Sequence, residues 1–80
     1  MRNAPHVPYA DSEIMDRDGW CCRLCGDPID PSLKYPDRMA KSIDHIIPLS
    51  AGGHDAPYNV QAAHLGCNIS KGAALPAFVA

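Results

Sequence analysis

Apolar and polar positions near the start of the chain predict one short helix. In Ser12–Asp18 a single apolar pair, Ile14-Met15, is flanked by charged residues, so one face can be buried while the others stay in water. Asp11 or Ser12 can cap the first turn, and Gly19 is a typical helix stop. We therefore expect a helix over Ser12–Asp18 with Ile14-Met15 as its buried contacts.

Two extended segments follow in the middle of the chain. Met39–Ile47 contains Ile43 and Ile46 as apolar anchors and is followed by a proline, which predicts a strand. Asn59–Ala63 predicts a second short strand. Leu49–Tyr58 lies between them and contains two adjacent glycines and a proline, so it predicts a loop.

The two ends of the chain are less regular. Residues 1–10 contain two prolines and predict a flexible arm, and residues 76–80 are an apolar tail. Asn68–Ala74 predicts a second short helix after the last cysteine. Residues 11–75 are then expected to form one small α+β domain.

Length and cysteine content favour a metal staple. A chain of 80 residues buries little apolar surface, and its four cysteines can supply either disulfides or metal ligands. Residues 1–11 lack the charged and then apolar pattern of a secretory leader, and no apolar run is long enough to cross a bilayer. We therefore expect a cytoplasmic protein with no membrane association, whose cysteines bind metal.

Four residues have the types and paired spacing of a tetrahedral zinc site. Cys22 and Cys25 form a C-x-x-C pair, and His64 and Cys67 form a matching H-x-x-C pair. Cys21 is an alternative ligand, but only Cys22 has the two-residue spacing to Cys25. We expect a zinc ion that clamps the two ends of the domain, stabilises the fold and takes no part in chemistry.

Residues between and just after these pairs can support phosphodiester hydrolysis. The imidazole of His45 can take a proton from water near neutral pH. A hard divalent ion held by Asp44 and Asn68 can polarise a phosphate and stabilise the departing oxygen. Lys71, expected on the same helix as Asn68, can contact a phosphate, and a solvated lysine at a helix end is the alternative.

The order and spacing of these residues closely resemble the HNH endonuclease family, which has a ββα-metal fold. The resemblance covers about residues 17–72, and it implies a small α+β, treble-clef-like fold stapled by zinc. The residues that carry it are Asp44-His45-Ile46-Ile47-Pro48-Leu49, Gly52-Gly53, Asn59 and Cys67-Asn68-x-x-Lys71.

The resemblance also implies a role for each motif residue. His45 is expected to be the general base, and Asn59 to hold the loop and orient that histidine. Asp44 and Asn68 are expected to bind one catalytic ion. The third motif position is Asn rather than His, so the pattern is the H-N-N variant, and its oxygen-only ligand set suits Mg²⁺ or Mn²⁺.

The implied activity is hydrolysis of DNA, by nicking or by cleavage of both strands. The net charge of −2 opposes tight binding to a polyanion, although only Asp55 is acidic after Asp44. Lys71, Arg23 and Lys41 are candidate phosphate contacts. A bare domain of this size needs a packaging or other protein partner for specificity. Small members of the family are common in phage and bacterial genomes, so we expect the cytosol of a bacterium or of a phage-infected cell.

Two other functions remain compatible with parts of the pattern. A zinc-stapled module that binds nucleic acid or protein without catalysis would use the same fold, and the acidic charge balance is its best support. A secreted, disulfide-rich miniprotein is the second alternative, but it leaves the inner residues of the motif unexplained. Those residues are Asp44, His45, Asn59 and Asn68.

Overall fold

The computed structural model of the protein describes residues 6–72. Its regular elements are α1 (Asp11–Arg17), β1 (Lys41–His45), β2 (Val60–His64) and α2 (Leu65–Lys71), with 3₁₀ turns at Leu49–Ala51 and Pro57–Asn59. Part of the predicted arm (residues 1–5), the end of the predicted second helix and the whole predicted tail lie outside the described residues.

Helix α1 begins one residue earlier than predicted and has no side-chain cap. Its N-cap is Ala10, whose backbone N–H donates to the Glu13 carboxylate at 3.0 Å. The predicted cap by Asp11 or Ser12 is therefore wrong, because both residues lie inside the helix. The Ile14-Met15 pair is buried, as predicted.

Strands β1 and β2 form a two-stranded antiparallel sheet in which Lys41 faces His64 and His45 faces Val60. Strand β1 is shorter than the predicted Met39–Ile47, so the predicted strand ends are wrong. At its C-terminal end the reason is visible: the backbone N–H of Ile47 donates to the side chain of Asn59 at 2.9 Å instead of to a strand partner.

Helix α2 follows β2 without a loop. It begins at Leu65 rather than at the predicted Asn68, so Cys67 and Asn68 both lie on the helix. Strands β1 and β2 together with α2 therefore make a ββα unit, which confirms the predicted small ββα-metal fold. Neither helix in the part of the chain that the structure describes has the length and apolar character needed to cross a bilayer.

The apolar core is small and shares members with the candidate zinc site. It consists of Met15, Cys22, Ile29, Ala62 and Ala63, with Trp20, Ile43 and Cys67 packed against it. The expected anchors Ile43, in β1, and Ile46, just after it, are only partly buried, whereas Asp44 between them is 2% exposed. The most deeply buried side chain of this strand is thus a carboxylate.

Candidate metal centre and active site

The two predicted ligand pairs converge beside the core. The ligand atoms of Cys22, Cys25, His64 and Cys67 all lie within 4.8 Å of one another. His64 Nδ1 is 3.3 Å from Cys25 Sγ and 3.8 Å from Cys67 Sγ. Three sulfur atoms and one imidazole nitrogen grouped in this way can hold a zinc ion, as the spacing predicted.

Neighbouring groups hold His64 and Cys22 in the protonation states that metal binding requires. His64 Nε2 lies 2.9 Å from the carbonyl oxygen of Pro28, which can only accept, so Nε2 carries the ring proton and Nδ1 is the ligand atom. Burial raises the pKa of Cys22, but hydrogen bonds from the backbone N–H groups of Cys25, His64 and Leu24 outweigh it and lower this pKa to about 6. Cys22 is therefore largely a thiolate at neutral pH.

The other thiols differ from Cys22. Burial, with hydrogen bonds to Cys25 and Cys22, raises the pKa of Cys67 to about 11, a shift that a bound cation opposes. Cys21 Sγ lies 3.2 Å from the carbonyl oxygen of Gly26 and is not part of the four-residue cluster. None of the four cysteines forms a disulfide in this structure.

Asp44, at the inner face of β1, is surrounded by donors. Its Oδ2 accepts a hydrogen bond at 2.9 Å from Nε2 of Gln61, the residue opposite it on β2. The Lys71 ammonium lies 2.9 Å from both Asp44 carboxylate oxygens and also donates to the carbonyl oxygens of His45 at 2.8 Å and Ile46 at 3.3 Å. Sequence reasoning missed this ion pair, and the phosphate contact predicted for Lys71 stays a prediction.

Asn68 fixes α2 against β1. Its amide nitrogen donates to Ser42 Oγ at 2.8 Å and to the carbonyl oxygen of Ile43 at 3.0 Å. Among residues 6–72 no donor bonds to its amide oxygen. Lys71 follows one helical turn later and contacts Asp44 and His45 at the end of the same strand, so both side chains hold α2 against β1.

Asn59 closes the loop between the two strands. Its Oδ1 accepts from the backbone N–H of Ile47 at 2.9 Å, and its Nδ2 donates to the carbonyl oxygens of Ile47 at 3.0 Å and His54 at 2.8 Å. The loop packs so tightly here that a Cβ atom on Gly53 would lie 1.8 Å from the Ile47 carbonyl oxygen. Asn59 thus supplies three hydrogen bonds that hold this loop against the end of β1.

His45 contacts a residue that sequence reasoning did not select. Its Nε2 lies 2.9 Å from Asp55 Oδ1, which also accepts from the Tyr9 hydroxyl at 2.7 Å, and His6 Nδ1 lies 3.0 Å from Asp55 Oδ2. These hydrogen bonds, that of His45 first, lower the pKa of Asp55 to about 2. The available sequence signal was that Asp55 is the only acidic residue after Asp44.

The remaining candidate contacts lie at the surface. Arg23 and Lys41 are exposed, and within residues 6–72 neither side chain has a hydrogen-bond or ion-pair partner. His54, in the loop, has its Nδ1 2.5 Å from the Tyr58 hydroxyl. The predicted phosphate contacts of Arg23 and Lys41 remain predictions.

The fold and these residues define a small ββα-metal domain with a histidine-containing polar site. The family model for HNH endonuclease matches residues 22–74, which is more than half of the chain. The chain therefore belongs to the HNH endonuclease family, which points to a nuclease-type or nucleic-acid-binding function. Comparison with curated proteins and with solved structures gives no match.

Proposed function

We propose that this protein is a metal-dependent endonuclease that hydrolyses phosphodiester bonds in DNA. The observation that carries the proposal is the attachment of Asn68 to Ser42 and Ile43, at 2.8 and 3.0 Å. Through these bonds α2 brings an amide oxygen to the strand that ends in Asp44-His45. We infer that a general base and two oxygen ligands belong to one site here, as family membership leads us to expect.

Asp44 and Asn68 are the proposed ligands of a divalent ion. A carboxylate that is 2% exposed needs a neighbouring cation, and here Lys71 supplies one. The two ligands offer oxygen atoms only, which Mg²⁺ and Mn²⁺ prefer. The residues fit such an ion once the Lys71 ammonium leaves the carboxylate. When bound, the ion would polarise the scissile phosphate and stabilise the departing oxygen.

His45 is the proposed general base. A proton on Nε2, next to Asp55, leaves Nδ1 as the atom that takes a proton from the attacking water. Such proton transfer contributes about 10²–10⁴-fold in rate. Asn59 supports it indirectly, since its three hydrogen bonds hold the loop that contains Asp55.

DNA is the proposed substrate, with Arg23 and Lys41 as contacts to its phosphates. Lys71 becomes a third contact when it is released from Asp44. The net charge of −2 implies weak and salt-sensitive binding, so specificity would come from a partner such as a packaging protein. The corresponding setting is the cytosol of a bacterium or of a phage-infected cell.

Plasmid cleavage tests the proposal. Zinc-loaded protein is incubated at low salt with supercoiled plasmid and Mg²⁺, Mn²⁺ or EDTA. The His45→Ala variant is the test, and His54→Ala, a loop histidine outside the proposed machinery, is the matched control. We expect metal-dependent nicking or linearisation by the wild type and by His54→Ala, and none by His45→Ala. Failure of the wild type to cleave with either metal would overturn the proposal.

The alternative is a zinc-stapled module that binds nucleic acid or protein without cutting. The observation that favours it is the Asp44–Lys71 ion pair, because the carboxylate is already neutralised without a metal ion. This alternative predicts retarded DNA or a bound protein in the absence of cleavage. It also predicts no uptake of Mn²⁺ beyond the zinc site.

A further inference from the structure

Asp55 lies where the N-terminal segment meets the loop that precedes β2. The backbone N–H of Val7 donates to the Asp55 carbonyl oxygen at 3.0 Å, and His6 pairs with Asp55 as an isolated parallel bridge. In the Asp55 side chain, Oδ1 accepts a hydrogen bond from the Tyr9 hydroxyl and lies within hydrogen-bond distance of His45 Nε2. Its Oδ2 lies within hydrogen-bond distance of His6 Nδ1. Backbone and side chain of this aspartate are therefore both fixed by residues about 50 positions earlier.

The contact between Asp55 and His45 has a defined polarity. An ionised carboxylate has no proton to give, so the imidazole Nε2 must carry the hydrogen. In the neutral ring Nδ1 then carries none and is an acceptor. The His45 side chain is 24% exposed and the Asp55 side chain 35% exposed, so the contact between them is partly shielded from water.

We infer that Asp55 is a positioning residue for His45, held in place by the segment His6–Tyr9. This inference rests on the proposed function, in which His45 takes the proton of the attacking water. Asp55 keeps the proton on Nε2, orients the ring, and stabilises the imidazolium that exists after Nδ1 has accepted the water proton. Asp55 itself neither gains nor loses a proton. The hydroxide formed attacks phosphorus, the bond from phosphorus to the 3′-oxygen breaks, and the departing 3′-oxygen takes a proton from solvent.

The two N-terminal side chains that contact Asp55 should differ in how strongly they affect His45. Tyr9 is partly buried and its hydroxyl lies 2.7 Å from the same oxygen that faces His45, so it holds that oxygen directly. His6 contacts the other oxygen and its side chain is 60% exposed. Loss of Tyr9 should therefore disturb His45 more than loss of His6.

Cleavage kinetics separate positioning from binding or folding. The variants are Asp55→Ala, Asp55→Asn as the version of similar shape, Tyr9→Phe and His6→Ala, with His54→Ala as the control outside this network. We expect kcat to fall at least about tenfold in both Asp55 variants with KM unchanged, less in Tyr9→Phe, least in His6→Ala, and not in the control. Melting temperature and zinc content are measured alongside, since a merely structural role would lower these instead.

Proton NMR gives a readout that does not need cleavage. A hydrogen-bonded imidazole N–H exchanges slowly and resonates downfield. We expect such a signal from His45 Nε2–H in the wild type, its loss in Asp55→Ala, and an upfield shift in Asp55→Asn, whose neutral amide oxygen is a weaker acceptor than the carboxylate. His64 Nε2–H, bonded to the Pro28 carbonyl, is the internal control and should persist.

The outcomes distinguish the inference from the proposed function. If the wild type shows the His45 N–H signal but cuts no DNA, the proposed function fails while the contact stands. If the wild type cuts DNA and either Asp55 variant keeps full kcat, the inference is overturned. Absence of the His45 signal in the wild type, or a rise in KM alone, would overturn it too.

Discussion

The Lys71 ammonium lies 2.9 Å from both carboxylate oxygens of Asp44, and the two side chains are only 13% and 2% exposed. The same ammonium reaches two backbone carbonyl oxygens at the end of β1. A lysine on α2 therefore occupies an oxygen-lined position beside the carboxylate that we propose as a metal ligand. In the proposed function, a divalent ion would therefore compete with the ammonium for Asp44.

Replacing Lys71 should expose this competition. In the absence of a divalent ion, Lys71→Met leaves a buried carboxylate unpaired and should cost about 3 kcal/mol of stability. Mn²⁺ should then raise the melting temperature of the variant more than that of the wild type, because no ammonium has to leave. Thermal unfolding with and without Mn²⁺, at constant zinc, measures this. Lys41→Met is the control, and equal Mn²⁺ shifts in Lys71→Met and wild type would contradict the prediction.

Loss of a zinc ligand should unfold the domain. Cys67→Ser or Cys25→Ser removes one thiolate from the four-residue cluster, and for a core this small the metal-binding free energy is folding free energy. We expect disordered far-ultraviolet circular dichroism spectra and sub-stoichiometric zinc. Cys21→Ser, outside the cluster, should stay folded with one zinc per chain. A well-folded Cys67→Ser protein would show that zinc does not hold this fold.

Replacement by alanine should destabilise the protein more at Gly53 than at Gly52. A Cβ on Gly53 would meet the Ile47 carbonyl oxygen at 1.8 Å, so Gly53→Ala must displace the loop and should cost about 1–3 kcal/mol. Gly52 has open space but a φ of +87°, so Gly52→Ala should cost only about 1 kcal/mol. Urea unfolding measures the free energy of unfolding of both variants. A smaller loss of this free energy in Gly53→Ala than in Gly52→Ala would contradict the prediction.

Asp18 should contribute stability by joining α1 to β2. Its Oδ2 accepts from the backbone N–H of Ala62 at 2.9 Å, and its carboxylate pairs with Arg17 at 2.8 Å. The hydrogen bond from Arg17 and that from Ala62 lower the pKa of Asp18 despite its burial, so the ionised form stabilises the fold at neutral pH.

We expect Asp18→Asn to lose about 1–2 kcal/mol in urea unfolding at pH 7. Asp27→Asn, at an exposed aspartate, is the matched control and should change little. Equal stability of the two variants would mean that the link between Asp18 and Ala62 carries no net free energy.

The sequence predicted the parts of the molecule that depend on local spacing. The two x-x pairs predicted a four-residue cluster that the structure assembles, and the two-residue spacing explains why the ligands within each pair lie side by side. The ββα order followed from the predicted strands Met39–Ile47 and Asn59–Ala63 and from the helix predicted to begin at Asn68. Helix α1 was displaced by one residue because the Glu13 carboxylate accepts from Ala10 and the expected cap residue lies inside the helix.

Contacts between distant residues could not be predicted in this way. Asp55 meets Tyr9 and His6 across 46 and 49 positions, and no local pattern signals such pairing. Lys71 was expected either to contact a phosphate or to be a solvated lysine at a helix end, and its partner Asp44 became visible only when α2 packed on β1. Strand β1 ended early because the Asn59 side chain took the place of a strand neighbour.

A zinc ion held by the four-residue cluster would close residues 26–63 into a ring, since Cys25 and His64 flank that segment. Tyr35, 81% exposed, lies on this ring far along the chain from either end. A protease cut there would not free the two pieces: α1 with two thiolates and the ββα unit with the other ligands would stay joined through the zinc. Such nicked protein should migrate as one species in native gels and separate only when a chelator is added.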